Sequence, residues 1–232
     1  MTRFKNRRDA GRQLAARLAK TPLERPVVLG LPRGGVLVAA EVAAALNAPL
    51  DVFVAHKIGA PGHEELGIGA VAEGSDHIVV TDTAARLGIQ ERQLHELANQ
   101  ARQEAERRVR TYRNDNKLPD LTGNDVVLVD DGLATGVTAE AALVAIKKHR
   151  PRRLVLAVPA GSCESLARLE IIADDVVCLL TPEHFFAVGE WYDDFAQTTD
   201  DEVIEALARA ARDIRHVRGM DGVTEIGQSA DQ

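Results

Sequence analysis

The segment Val126-Val-Leu-Val-Asp130-Asp131-Gly132-Leu133-Ala134-Thr135-Gly136-Val137-Thr138 admits few folds. Its β-branched apolar start reads as a buried strand, and Ala139 to Lys148 carries a helical pattern. The turn between them therefore lies at the carboxyl end of a strand and the amino end of a helix, where open α/β sheets place ligands. Gly132 and Gly136 allow close backbone approach, and the free N–H groups of a helix start suit a phosphate. Thr135 and Thr138 add hydroxyl donors. Two adjacent carboxylates would repel that phosphate unless they face something else. Ionised Asp only accepts hydrogen bonds, whereas the vicinal hydroxyls of a ribose donate them. Asp130 and Asp131 thus ask for the sugar of a ribose 5-phosphate group. The plainer alternative is a strand–turn–helix joint whose aspartates cap the turn.

The rest of the chain repeats this rhythm. Short apolar runs recur at Val27–Leu31, Asp51–Ala55, His77–Val80, Asp125–Val129, Leu154–Val158 and Val176–Leu180. Helical patterns at Val36–Leu46, Ala139–Lys148 and Ser162–Ile172 separate several of them. Such alternation predicts βαβ units and a mostly parallel sheet flanked by helices, an α/β fold. Two segments break the pattern. Ile58 to Gly74 is rich in glycine and acidic residues and reads as a long loop, and loops of that length are usually functional. Gln90 to Tyr112 reads as a solvated helix, with Glu104/Arg108 and Glu106/Arg110 at ion-pair spacing, against the alternative that its arginines contact phosphates. Thr199-Asp-Asp-Glu202 matches a capping box and opens a last helix to about His216, leaving 219–232 as a polar, disordered tail.

Composition excludes several classes. A net charge of -7 argues against a nucleic-acid partner, which needs a basic face. No run approaches a membrane span and no apolar leader is evident, so no membrane partner and a cytoplasmic location are expected. Cys163 and Cys178 form no framework and read as buried small residues in a reducing compartment.

A second strand–turn–helix lies upstream, in Val28-Leu-Gly-Leu-Pro32-Arg33-Gly34-Gly35-Val36. It lacks the glycine spacing of a dinucleotide fingerprint or a Walker loop. Gly34 and Gly35 offer backbone donors and Arg33 a charge-assisted one, a second phosphate cradle, against the alternative of an ordinary tight turn with a surface arginine.

The ordered pattern Val-Asp-Asp-x-x-Ala-Thr-Gly-x-Thr behind an apolar strand resembles the signature of type I phosphoribosyltransferases. With the Arg-Gly-Gly turn, the Gly/Glu loop and a Phe-x-Val-Gly-x-Trp-Tyr stretch, the chain looks most like a bacterial group of that family for which no acceptor is assigned. The resemblance covers most of Val27–Asp194. It implies a single domain over 1–218, with a small hood from the N-terminal and about 180–200 segments, a flexible loop, and a helical insertion at about 84–117. It implies a donor, phosphoribosyl diphosphate (PRPP), whose ribose hydroxyls Asp130 and Asp131 hold. Ala134, Thr135, Gly136, Val137 and Thr138 would wrap the 5-phosphate. Arg33, Gly34, Gly35 and Lys57 would take the diphosphate. Mg²⁺ is the implied cofactor, bound mainly through PRPP with Asp130 and Asp131 beside it. A homo-oligomer is compatible with the family and is left open.

The small-molecule acceptor is less sharply drawn. Residues 181–195 hold most of the chain's scarce aromatics, 3% overall. By resemblance to base-binding stretches, Phe186, Val188 and Trp191 would contact a planar base and Asp193 a base or metal; a small aromatic core is the alternative. Family members using 6-oxopurines carry an Asp where this chain has Ala134. The implied activity is transfer of ribose 5-phosphate to a nitrogen acceptor, with two alternatives: a PRPP- or nucleotide-binding sensor without turnover, and, more weakly, a metal-dependent hydrolase.

Overall fold

The computed structural model describes residues 3–114 and 116–221. Its frame is a parallel sheet of five strands, β1 (Val27–Gly30), β2 (Leu50–Val52), β6 (Asp125–Val129), β7 (Arg153–Ala160) and β8 (Asp175–Leu180), in the spatial order β2-β1-β6-β7-β8. The central runs are β-branched and buried on both faces, as parallel strands require. Their alternation sorts the two sides. Leu29, Leu128 and Leu156 pack toward α5 (Val137–Lys147) and α6 (Cys163–Leu169). Val28, Val127 and Val155 pack toward α1 (Arg7–Leu18) and α2 (Gly34–Leu46).

The register positions the two glycine-bearing turns. Val28 pairs with Val127, and Gly30 with Val129, so β1 and β6 end level with each other. Leu31 N–H donates to the Val129 carbonyl at 2.9 Å, continuing the pairing one step past the strands. The turns therefore emerge side by side.

The expected loop at Ile58–Gly74 is instead an antiparallel hairpin, β3 (Ala55–Ala60) and β4 (His63–Ala72), extended by β5 (Ile78–Val80) into a separate three-stranded sheet. Gly59, Gly67 and Gly69 are strand glycines, whereas Gly62 and Gly74 sit in turns at φ 73° and 64°. A Cβ on Gly59 would meet the Glu64 backbone oxygen at 2.5 Å, and one on Gly69 would strike the Val79 carbonyl. Close backbone approach, rather than turn geometry, explains them. Ile58, Ile68 and Val71 form the hairpin's apolar face under Ala84 of α3 (Asp82–Arg86) and Ala98 and Ala101 of α4 (Glu91–Arg113). The charged helix is thus half-docked through an alanine stripe, not solvated all round.

Helix α7 (Asp200–Asp221) starts at the expected capping box: Glu202 N–H donates to Thr199 Oγ1 at 3.2 Å and Thr199 N–H to Glu202 Oε2 at 2.8 Å. It continues past His216, so residues 219–221 are helical where a tail was expected; 222–232 lie outside the described residues. Cys163 is exposed in the first turn of α6, against the expectation that it is buried. Among the described residues, no helix is long and apolar enough to cross a membrane.

Candidate functional site

The two glycine turns form one seam. A Cβ on Gly35 would lie 2.8 Å from both the Val129 carbonyl oxygen and the Asp130 Cα, and one on Gly34 would run into the Asp131 carboxylate. Only glycine lets the turn before α2 rest on the acidic pair. Arg33 occupies the N-cap position of α2; Val36 N–H donates back to the Arg33 carbonyl at 3.2 Å, and the Gly34 and Gly35 N–H groups have no intrahelical acceptor. The Arg33 guanidinium approaches Asp200 at 3.8 Å.

Asp130 follows the last residue of β6, and burial, then the neighbouring Asp131 charge, push its carboxyl well above the usual range. Its Oδ1 accepts from the Asp131 N–H at 2.8 Å. Burial raises Asp131 as well, and Arg7 opposes that rise. Arg7, in the first turn of α1, donates from Nε to Asp131 Oδ2 at 2.7 Å. It also donates from Nη1 to the Ala196 carbonyl at 2.7 Å, and its guanidinium stacks 3.9 Å from the Phe195 ring centre. Tyr192 completes the ring, its hydroxyl donating to the Asp131 carbonyl at 2.6 Å. Neither Arg7 nor Tyr192 stands out in the sequence as a partner of the acidic pair. The only local signal near Arg7 is the Asn6–Asp9 cap, where Asn6 Oδ1 accepts from Asp9 N–H at 3.0 Å and starts α1.

The turn from Ala134 to Thr138 runs into α5. Gly136 holds φ 67° at the N-cap, the left-handed region that favours glycine. The turn is pinned from behind: the Ala134 carbonyl accepts from Ser162 Oγ at 3.0 Å and Ser165 Oγ at 2.6 Å, and Arg168 donates to the Thr135 carbonyl. Ala134 and Thr135 remain exposed, Thr138 is half-buried, and Val137 points into the core. These bonds hold the turn by its carbonyls, and the amides that open α5 lack intrahelical acceptors, as at any helix start.

Lys57 and His56 lie on β3 and line a cleft of about 560 Å³ between the hairpin and α4. Burial chiefly lowers the His56 pKa, favouring its neutral form.

The aromatic stretch divides. Trp191 is buried with Phe4, Tyr192 and Ala160, stacked on Phe185 at 6.0 Å, and its indole N–H has no partner among the described residues. That residue is core beneath the surface, not a face presented for stacking. Val188 packs on the acidic motif itself, because a Cβ on Gly132 would lie 2.5 Å from its Cγ1. Phe186 is 81% exposed and Asp193 is exposed, its N–H donating to the Phe4 carbonyl at 2.8 Å. Phe4 N–H donates in turn to the Trp191 carbonyl at 2.9 Å, tying the N-terminal segment to this stretch.

The chain is similar to known proteins. The phosphoribosyl transferase domain family matches residues 2–194. Two Mycobacterium tuberculosis proteins, each bearing the name "Putative phosphoribosyl transferase", are 46% identical over 233 residues, 97% of this chain and 51% of theirs. The chain thus spans about half the length of these curated relatives. The crystal structure of TT1426 from Thermus thermophilus is 46% identical and superposes with a TM-score of 0.75 over 90% of this chain and 99% of that one. With the paired glycine turns and the acidic pair in their expected order, the chain belongs to the phosphoribosyl transferase domain family.

Proposed function

We propose that the chain transfers the ribose 5-phosphate group of PRPP to a nitrogen acceptor, a nucleobase, releasing diphosphate with Mg²⁺. The observation that carries this reading is the seam between the Gly34–Gly35 turn and Asp130–Asp131. It brings the two glycine-bearing turns together at the ends of adjacent parallel strands, which supports one site for the two ends of one donor.

In this reading, Thr135, Gly136, Thr138 and the amides opening α5 hold the 5-phosphate and fix the sugar. Asp130 and Asp131 accept from the ribose hydroxyls. As the bond from C1 to the diphosphate oxygen breaks, positive charge develops on the sugar, and the acidic pair favours it. Arg33, Lys57 and the Gly34 and Gly35 amides stabilise the departing diphosphate. The acceptor nitrogen attacks C1 and releases its proton to water, so no protein nucleophile is needed. Phe186, Val188 and Asp193 border the acceptor side, and Trp191 supports them from the core.

Among the described residues, no three His, Cys, Asp or Glu side chains gather to hold a metal ion. An acidic pair of only two carboxylates fits Mg²⁺ carried largely by substrate oxygens and water. When bound, it neutralises charge on the diphosphate.

One observation favours the sensor alternative: Asp131 is already engaged by Arg7. Diphosphate release separates the two readings. Incubation with PRPP, Mg²⁺ and a nucleobase panel is expected to release diphosphate with at least one base. PRPP binding without release for any base would replace the transferase with the sensor.

A further inference from the structure

The inserted helix α4 carries a cation, Arg108, into the cleft that Lys57 lines. Arg108 lines the same cleft as Lys57 and His56, facing β3 from the opposite wall. One helical turn further on, Tyr112 occupies the same face of α4 and donates its hydroxyl to Asp200 Oδ1 at 2.6 Å. Asp200 is the carboxylate that Arg33 approaches at 3.8 Å. Helix α4 therefore reaches from the Arg33 turn, through Tyr112 and Asp200, to the cleft that Arg108 and Lys57 both line. Electrostatics agree with the placement: the Arg108 charge reaches both His56, whose protonation it opposes, and Tyr112.

Arg108 is also prepared for an anion. Its Nε donates to Glu104 Oε1 at 2.9 Å, which orients the guanidinium. Glu104, shared with Arg107, is held down to about 2, so it stays ionised while it orients both arginines. The fork has five donors, and this bond takes one edge of it. Among the described residues, Glu64 is the acidic side chain lining the same cleft. Arg107 is the more exposed of the two arginines, its side chain 54% exposed against 28% for Arg108.

We propose that Arg108 is a binding residue for the diphosphate moiety, completing with Arg33 and Lys57 a three-cation cradle that spans α2, β3 and α4. This rests on the PRPP reading above and deepens it. A diphosphate bears several charges on two phosphorus centres, and a forked guanidinium can bridge oxygens that an ammonium cannot.

Calorimetric titrations with PRPP–Mg²⁺, diphosphate–Mg²⁺ and ribose 5-phosphate test it on wild type, Arg108→Gln, Arg108→Lys and Arg107→Gln. Arg108→Gln is expected to weaken PRPP and diphosphate about tenfold or more, the loss of one charge-assisted bond, with ribose 5-phosphate unchanged. Arg108→Lys should recover part of the loss. Arg107→Gln, which removes the other Glu104 partner, should bind all three ligands as wild type does. Wild-type affinity of Arg108→Gln for diphosphate and PRPP overturns the proposal and leaves the PRPP reading intact. Equal weakening of ribose 5-phosphate overturns it as well, since that marks a structural effect. Absence of PRPP binding by wild type removes both.

Discussion

Gly35→Ala is expected to lower PRPP affinity on the order of 100-fold, because displacement of a positioned group by about 1 Å carries that penalty. The new methyl group would lie 2.8 Å from the Val129 carbonyl oxygen and 2.8 Å from the Asp130 Cα. Both are backbone atoms at the end of a central strand, so no flexible side chain can yield. The α2 turn must lift off the acidic pair, separating the two glycine-bearing turns. Overpacking of this kind costs about 1–3 kcal/mol of stability, so the variant should still fold. Chemical denaturation gives the stability change and calorimetry the affinity change. A folded Gly35→Ala protein that binds PRPP like wild type would show that the seam does not set the site.

Arg7→Ala should be the most destabilising single change around the acidic pair, about 3 kcal/mol at pH 8, the loss expected when a buried ion pair is broken from one side. It leaves the Asp131 carboxylate, with a side chain only 16% exposed, without its ion-pair partner. The sign with pH follows from the shift. Asp131 is already raised by burial, with Arg7 pulling it down, so removing Arg7 raises it further. A carboxyl whose folded pKa exceeds its unfolded value favours the folded state fully only below the unfolded value. That stability is lost as pH rises through the folded pKa. The Arg7→Ala deficit should therefore shrink toward pH 4 and grow to its full size above the raised pKa. Denaturant midpoints at pH 4, 6 and 8 measure it. Arg7→Lys, which keeps the charge but loses the fork and the stacking on Phe195, should fall between the two. A deficit independent of pH would mean that Arg7 acts through packing alone.

These two positions also mark what the amino-acid sequence reveals. The seam is legible because its chemistry is local. Strand, acids, glycine and threonine follow each other within Val126–Thr138, and Arg33-Gly34-Gly35 follows a strand in the same manner. Helix α7 is legible from four residues of capping box. Arg7 is not, since it meets Asp131 across 124 positions and nothing in its own neighbourhood announces a ligand. The hairpin of β3 and β4 is hidden because glycines at 59, 67 and 69 dilute the apolar alternation that identifies strands. Those glycines answer to neighbouring backbone and side chains, which no local pattern records. The aromatic stretch is ambiguous because burial decides between core and surface: Trp191 is enclosed and Phe186 is exposed, two residue types with the same local signal. The alanine face of α4 is likewise masked by its arginines and glutamates, and with it the route by which Arg108 reaches the cleft.

The direct test of the central claim, that the two turns form one PRPP cradle around the acidic pair, is a calorimetric titration of wild type and Asp131→Asn with PRPP in the presence of Mg²⁺. Saturable, Mg²⁺-dependent binding by wild type that weakens at least about tenfold in the variant is the predicted result. No binding by wild type, or equal affinity for both proteins, would contradict it.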